Sequence, residues 1–371
     1  MRPTVQANVE SGLRASLSSR NSSGLIIREE QPRNLEFSFD RLDTYFTPVE
    51  SFYIRSHNSA PTLQRESYRL SVEGAVKNPF TITYNELKRL PAKTSVATLE
   101  CAGNSRVFLV PQRQGAQWEL GAVGNAEWTG VPLATLLDRA GTTGEAREVV
   151  LEGADRGMPV EPPTPPEPIS YSRSVPLDKA RDNVLIAYAM NGVDLPRDHG
   201  FPVRAIVPGH YGMASVKWLT HVRVLKEQFQ GYWQTSDYAY WDEVDGMLVR
   251  RPLSEIKLKS EIARPGTFEV VPKGQLYTVY GDAWCWKGEV VTVELTTDGG
   301  QTWVAANFLD PIQPHVWRRW SYDWKTPDHP GTHILMSRAK NAAGESQPDK
   351  HDERYGSYVV DHILPIEVVV Q

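Results

Sequence analysis

The chain changes texture near residue 250, and that change restricts its architecture more than any single motif does. From residue 256 to 371 the sequence is built of short β-branched and aromatic runs, among them Val290–Leu295 and Ile366–Val370, with almost no helical periodicity. Runs of this kind bury one face only when a second sheet covers it, so this part reads as a β-sandwich. The tract Thr296–Trp303 holds an Asp-Gly pair of the kind found in propeller blades; it occurs once here, and a propeller needs repeated blades, so it reads as a tight turn. A chain of 371 residues exceeds the size at which one core keeps growing, and two domains are expected.

Residues 1–35 are rich in Ser, Arg and Asn without periodicity and read as a flexible N-terminal arm. The globular pattern begins near Leu35, placing a first domain over 36–250 and the sandwich over 251–371. Thr83 and Glu86 have capping-box spacing, predicting a short helix that Pro91 helps to end. A second helix is predicted over Val131–Ala140, with proline near its start and Gly141 beyond its end. Strands are expected at Val203–Val207 and, with a period of two, over Ser215–Leu225. Short helices among strands make the fold class α+β.

The formal charge of −5 argues against nucleic acid as the main partner, because phosphate neutralisation needs a basic face. A basic protein partner is compatible with it. No apolar run approaches the roughly 20 residues that span a bilayer, so no membrane partner is expected. The first 40 residues show neither an apolar leader core nor a twin-arginine pair, and the C-terminal Val368–Gln371 is no peroxisomal address; the expected location is cytoplasmic. Cys101 and Cys285, the two cysteines, read as free thiols.

Chemistry concentrates in Thr94–Arg106. A β-branched strand ends in Ala102-Gly103-Asn104, small residues that let the backbone turn sharply, so the Cys101 sulfur and the Arg106 fork can face one cavity. A thiolate beside a guanidinium suits a metal and an anion. A lone cysteine after apolar residues equally suits a packing role, and spacing leaves both open.

The string Leu99–Arg106 (LECAGNSR) resembles the cysteine signature of the sulfite oxidase family. Tyr53–His57, Trp118 with Gly124–Gly130, Leu195–Arg204, Ser215–Trp218, Trp233–Tyr238 and Trp317–Trp320 fall in the family's order and span most of residues 40–371. The resemblance implies a mixed α/β molybdopterin-binding domain followed by an immunoglobulin-like dimerisation domain, and hence a homodimer. It implies a molybdenum–molybdopterin cofactor with Cys101 as the metal ligand, for which a soft thiolate is suited. Sulfite is the implied substrate. Arg55, Arg106 and Arg318 match the family's substrate arginines, whose forks pair with oxyanions and stay charged. Tyr238 matches its active-site tyrosine and Trp118 a tryptophan of the substrate pocket. His199, Arg204, Ser215 and Lys217 match contacts to the cofactor's phosphate, His57 and Asp155 match pterin contacts, and Tyr53 and Arg55 are counted with the cofactor site. Because both flanks of the segment Pro159–Pro168 match one family domain, its six prolines mark a structured loop and not a linker. One departure touches the pocket's charge: Ser105-Arg106 stands where animal and plant members often carry two arginines. Cys285 reads as structural.

No Cys-x-x-Cys-His motif occurs and the arm is too short for a haem domain, so no haem is expected. Electrons should leave singly to an external acceptor such as a c-type cytochrome. Three other functions stay open at this point: nitrate reduction, against which Arg318 argues; a sulfane dehydrogenase subunit; and a non-catalytic binding module.

Overall fold

The computed structural model describes residues 19–371, so residues 1–18 of the expected arm lie outside the described residues. Residues 19–35, which composition assigns to that arm, are packed. Ile26–Glu29 and Asn34–Glu36 pair antiparallel, and Leu25 and Leu35 are buried. Leu35 exchanges both backbone hydrogen bonds with Ile54, which fastens this hairpin to the segment carrying Arg55. Isolated apolar residues among charged ones give no periodic signal, yet each still gains about 25 cal/mol per Å² on burial.

The first domain is built on two five-stranded sheets. One has Lys93–Glu100 at its edge, paired antiparallel with Val123–Pro132, which in turn pairs with Leu185–Met190. The other is mixed, with Leu219–Leu225 at its centre, parallel to Arg69–Gly74 and antiparallel to Glu148–Gly157. The expected capping box is present: the Glu86 amide donates to Thr83 Oγ1 at 3.2 Å and the Thr83 amide to the Glu86 carboxylate at 2.8 Å. The second helix, Leu133–Ala140, starts two residues later than expected because Val131 and Pro132 remain in the preceding strand; Gly141, at φ 66°, ends it. The expected strand over 215–225 begins only at Leu219, because Trp218 at φ 50° breaks the alternation. The strand expected at 203–207 is Arg204–Ile206.

The second domain is the expected sandwich. A four-stranded sheet (Lys259–Arg264, Leu276–Trp284, Arg318–Lys325, Asn307–Phe308) packs on a five-stranded one that includes Val290–Thr296, Gly331–Asn341 and Ile366–Val370. Val279 and Trp320 from the first meet Val293 and Leu335 from the second in one core. Within Thr296–Trp303 the Asp298 carboxylate accepts the amides of Gln301 and Thr302, so this tract is a turn. No helix among the described residues is long and apolar enough to cross a membrane.

Candidate active site

The strand Lys93–Glu100 delivers Cys101 to its position. The ladder runs one residue further, with the Cys101 amide donating to Ala122 O at 2.8 Å, and then folds back as the Asn104 amide donates to Cys101 O at 2.9 Å. Gly103 is required here, because a Cβ on it would lie 2.3 Å from Arg106 Nη2. Cys101 borders both an inner cavity and a larger outer cleft, which share Arg55, His57 and Tyr238 as further walls. Burial pushes its thiol up, against the pull of Arg55, Arg106 and the Gly103 amide. A metal ion in place of the proton resolves that conflict, since a coordinating thiol is deprotonated outright.

At the junction of the two cavities stands a hydrogen-bonded chain. Asn34 Oδ1, from the N-terminal hairpin, accepts the Ser56 amide at 2.8 Å and Arg55 Nη1 at 3.3 Å. Arg55 Nη2 lies 3.0 Å from His57 Nδ1 and 3.3 Å from Nε2, and Nε2 lies 2.7 Å from the Tyr238 hydroxyl. A guanidinium only donates and reaches both ring nitrogens, so the direction of the His57–Tyr238 bond follows the tautomer: in the Nε2–H form the ring donates to Tyr238 Oη. In that form the Tyr238 O–H is left free to donate into the cavity. Burial, reinforced by Arg55, holds His57 well below its usual value, so the ring is neutral; burial pushes Tyr238 above its own. Tyr171 and Trp233 fix the imidazole, with ring centroids at 5.4 and 4.4 Å.

The inner cavity is crowded with cations. Arg204 donates to His199 O and Ser215 O, both at 3.0 Å, while its Nε is buried without an acceptor. Lys217 Nζ donates to Ser56 Oγ at 2.8 Å and Asp198 O at 2.9 Å. Burial, then the charge of Arg204, lowers Lys217 to about 7, and burial lowers Arg204 to about 10. His199 falls to about 3 through burial and Arg204. Asp155, accepting from Asn58 Nδ2 at 3.0 Å, and Tyr53 line other parts of the wall. Dry, mutually repelling cations with an unpartnered N–H make a site short of an anion. An anionic cofactor phosphate fits it, and the lone Cys101 thiolate leaves most coordination positions of a metal to the cofactor's own donors.

The lowered Lys217 sets a pH dependence. Above about pH 7 its amine is largely neutral in cofactor-free protein, so pairing it with an incoming dianion requires uptake of a proton from the buffer. Sulfate, a dianion throughout this range, should bind cofactor-free protein with an affinity that falls by up to about tenfold per pH unit above pH 7, with proton uptake seen by calorimetry in buffers of different ionisation heat. Lys217→Met should bind more weakly at pH 7 and lose this slope; a slope that persists would put the proton elsewhere.

Behind the cysteine turn lies a buried ionic cluster that joins the two domains. Lys259 Nζ, from the sandwich, reaches Glu261 Oε1 at 2.6 Å, Ser105 Oγ at 2.8 Å and Glu100 Oε1 at 3.3 Å. Ser105 Oγ donates to Glu261 at 2.7 Å, and Glu100 accepts Trp284 Nε1 at 2.9 Å and Asn104 Nδ2 at 3.2 Å. Glu100 and Ser105 bracket Cys101, so the second domain holds the turn from behind. Ser105 points into this cluster and lines neither cavity, so the position that departs from a double arginine lies behind the site.

The structure brings most of the expected residues together: Tyr53, Arg55, His57, Cys101, Asp155, His199, Arg204, Ser215, Lys217 and Tyr238 line the inner cavity, and Arg106 lines the outer cleft. Two are elsewhere. Arg318 lines neither cavity; its donors go to Val290 O at 2.8 Å and Asp310 O at 3.1 and 3.2 Å, and its guanidinium lies over Phe308 at 3.6 Å. The discrimination against nitrate drawn from Arg318 therefore loses its basis. Trp118 is fully buried in the apolar cluster that also contains Cys101, and it lies outside the cavity walls. The sandwich domain reaches the cleft through Ser357 and Tyr358 instead, opposite Asp237 of the π-helical turn Trp233–Asp237. The proline-rich loop contributes Pro159, Val160 and Glu161 to the cleft. Cys285 is a buried free thiol in neither cavity wall.

Residues 57–233 match the family model described as oxidoreductase molybdopterin binding domain, and residues 250–355 that of the Mo-co oxidoreductase dimerisation domain. The sulfite oxidase of Gallus gallus is 35% identical over 346 residues, 88% of this chain and 73% of that protein. That of Arabidopsis thaliana is 32% identical over 362 residues, 88% of both chains. Among solved structures, the sulfane dehydrogenase SoxCD from Paracoccus pantotrophus superposes with a TM-score of 0.79 at 27% identity, covering 92% of this chain and 87% of that one.

Proposed function

The chain belongs to the sulfite oxidase family of molybdopterin-binding oxidoreductases, and from that premise we propose that it is a haem-free enzyme oxidising sulfite to sulfate and passing the electrons singly to an external carrier. The observation that carries this reading is the meeting of one thiol, an anion-seeking inner cavity and an arginine-lined outer cleft around shared walls. The balance is sulfite plus water giving sulfate, two protons and two electrons. Bound molybdopterin would supply, through its molybdenum held by Cys101, the oxygen transfer and the storage of the electron pair.

The protein's own groups do the rest. Lys217, Arg204, His199 and Ser215 hold the cofactor's phosphate end. Arg55 and Arg106 draw the sulfite oxyanion into the cleft, where charge-assisted pairs are each worth about 1.5–3 kcal/mol. The Tyr238 hydroxyl, its oxygen occupied by neutral His57, presents a proton donor to a substrate or product oxygen. Homodimerisation through the second domain belongs to the same reading, and so does an acceptor such as a c-type cytochrome. Similarity to SoxCD favours one rival, oxidation of a sulfane sulfur.

The test is turnover of the molybdenum-loaded protein on sulfite, thiosulfate and nitrate, with a c-type cytochrome as acceptor. Sulfite-dependent cytochrome reduction is expected; a preference for thiosulfate would favour the rival. Arg106→Gln should lower kcat/KM for sulfite by roughly 1.5–3 kcal/mol, the loss of one charge-assisted contact. Arg318→Gln should leave it within about twofold, as expected of a substitution away from the site. An equal loss in Arg318→Gln would return that residue to the pocket.

A further inference from the structure

We propose that Ser357 and Tyr358 of the sandwich domain are positioning residues for Arg106, so that the grip of the cleft on its oxyanion is set from the second domain; this rests on Arg106 acting on the substrate. The Arg106 guanidinium is held by two hydrogen bonds, one aromatic ring and two close glycines. Its Nε donates to Ser357 O at 2.8 Å and its Nη1 to Ala116 O at 2.9 Å. One face covers the Tyr358 ring, with Cζ 5.1 Å from the centroid. The backbone of Gly103 and Gly115 closes around it so tightly that a Cβ on either would lie 2.3 or 2.5 Å from a guanidinium nitrogen. Among the described residues Nη2 has no hydrogen-bond acceptor, and Arg106 borders the cleft, so this is the N–H group left for an anion.

Tyr358 is itself fixed. Its hydroxyl donates to Asp237 Oδ1 at 2.8 Å, and its ring packs on Tyr238 with centroids 5.0 Å apart. The next residue, Val359, donates its amide to Ala102 O at 2.8 Å, which fastens the segment onto the cysteine turn. A planar cation lying on an aromatic face loses less entropy on pairing with an oxyanion than a free arginine does. Tyr358 therefore acts on affinity for the anion more than on the chemical step.

The experiment uses the loaded enzyme and two readouts: sulfate binding by calorimetry, and the split between sulfite KM and kcat. Tyr358→Leu keeps apolar bulk but removes the aromatic face. Sulfate Kd and sulfite KM should both rise roughly fivefold while kcat changes less than about twofold. Tyr358→Phe keeps the face and should stay within about twofold on both. Arg106→Gln is the separate control: if it leaves sulfate binding and KM unchanged, the role of Arg106 falls and this inference with it. If Arg106→Gln weakens both but Tyr358→Leu weakens neither, the inference alone is overturned. It is likewise overturned if Tyr358→Phe is as damaging as Tyr358→Leu, or if kcat falls at constant KM.

Discussion

Cys101→Ser should give a protein that folds and keeps its pterin yet does not turn over sulfite. The cofactor's phosphate end is proposed to be held by Lys217, Arg204, His199 and Ser215, none of which the substitution touches. What changes is the only thiol among the residues lining either cavity. A serine hydroxyl is a harder donor and stays protonated where a cysteine coordinates as thiolate. Loss of an outer partner of a metal ligand already costs roughly 10–100-fold, so loss of the ligand itself should exceed that. Pterin fluorescence, molybdenum content and dye reduction measured on one preparation decide it, and near-normal turnover would remove Cys101 from the metal. Cys285→Ser provides the contrast. Burial pushes that thiol up to about 12, its sulfur lies 3.4 Å from Gly288 O, and its replacement should be close to silent.

The second large effect concerns Lys259. Its side chain is 2% exposed between two carboxylates that are 3% and 2% exposed. Lys259→Met would leave Glu100 and Glu261 facing each other without a cation. Breaking a buried ion pair by removing one partner costs about 3–5 kcal/mol. Thermal unfolding should shift down by several degrees, and the cysteine turn should loosen with it, since Ser105 and Glu100 lose the same partner. Lys226→Met, which breaks a pair exposed by 58% and 69%, should leave the melting temperature nearly unchanged. Equal melting temperatures for the two variants would show that the cluster contributes no net stability.

Local chemistry made much of this molecule legible in advance. The capping box at Thr83, the helix stop at Gly141 and the alternation of the sandwich strands each depend on a few neighbouring residues, and each is found. The residues lining the inner cavity were likewise legible, because they sit in short strings that resemble a known signature. Resemblance went astray at Arg318, where the next residue is also an arginine and Asp310 engages both through its backbone and side-chain oxygens. Nothing in the string Trp317–Trp320 reveals that contact. Asn34, Lys259 and Tyr358 carried no signal at all. Asn34 meets Ser56 across 22 positions, Lys259 meets Ser105 across 154, and Arg106 meets Ser357 across 251. Each is an ordinary surface-type residue until the fold closes around it.

That spread also orders events in time. The walls of the cleft run from Glu29 to Tyr358, and the segment bearing Tyr358 is anchored between Gly331–Asn341 and Ile366–Val370. A growing polypeptide leaves the ribosome at about 5–20 residues per second, N-terminal parts first. The first domain can collapse while the sandwich is still being made, but Arg106 has no aromatic bed until translation has passed Tyr358, and Glu100 no buried cation until it has passed Lys259. At that stage the inner cavity has all its lining residues, which run from Phe52 to Tyr238, while the outer cleft still lacks Ser357 and Tyr358. The cofactor's cavity thus belongs to the first domain alone, and what the sandwich adds last is the outer cleft's grip on Arg106.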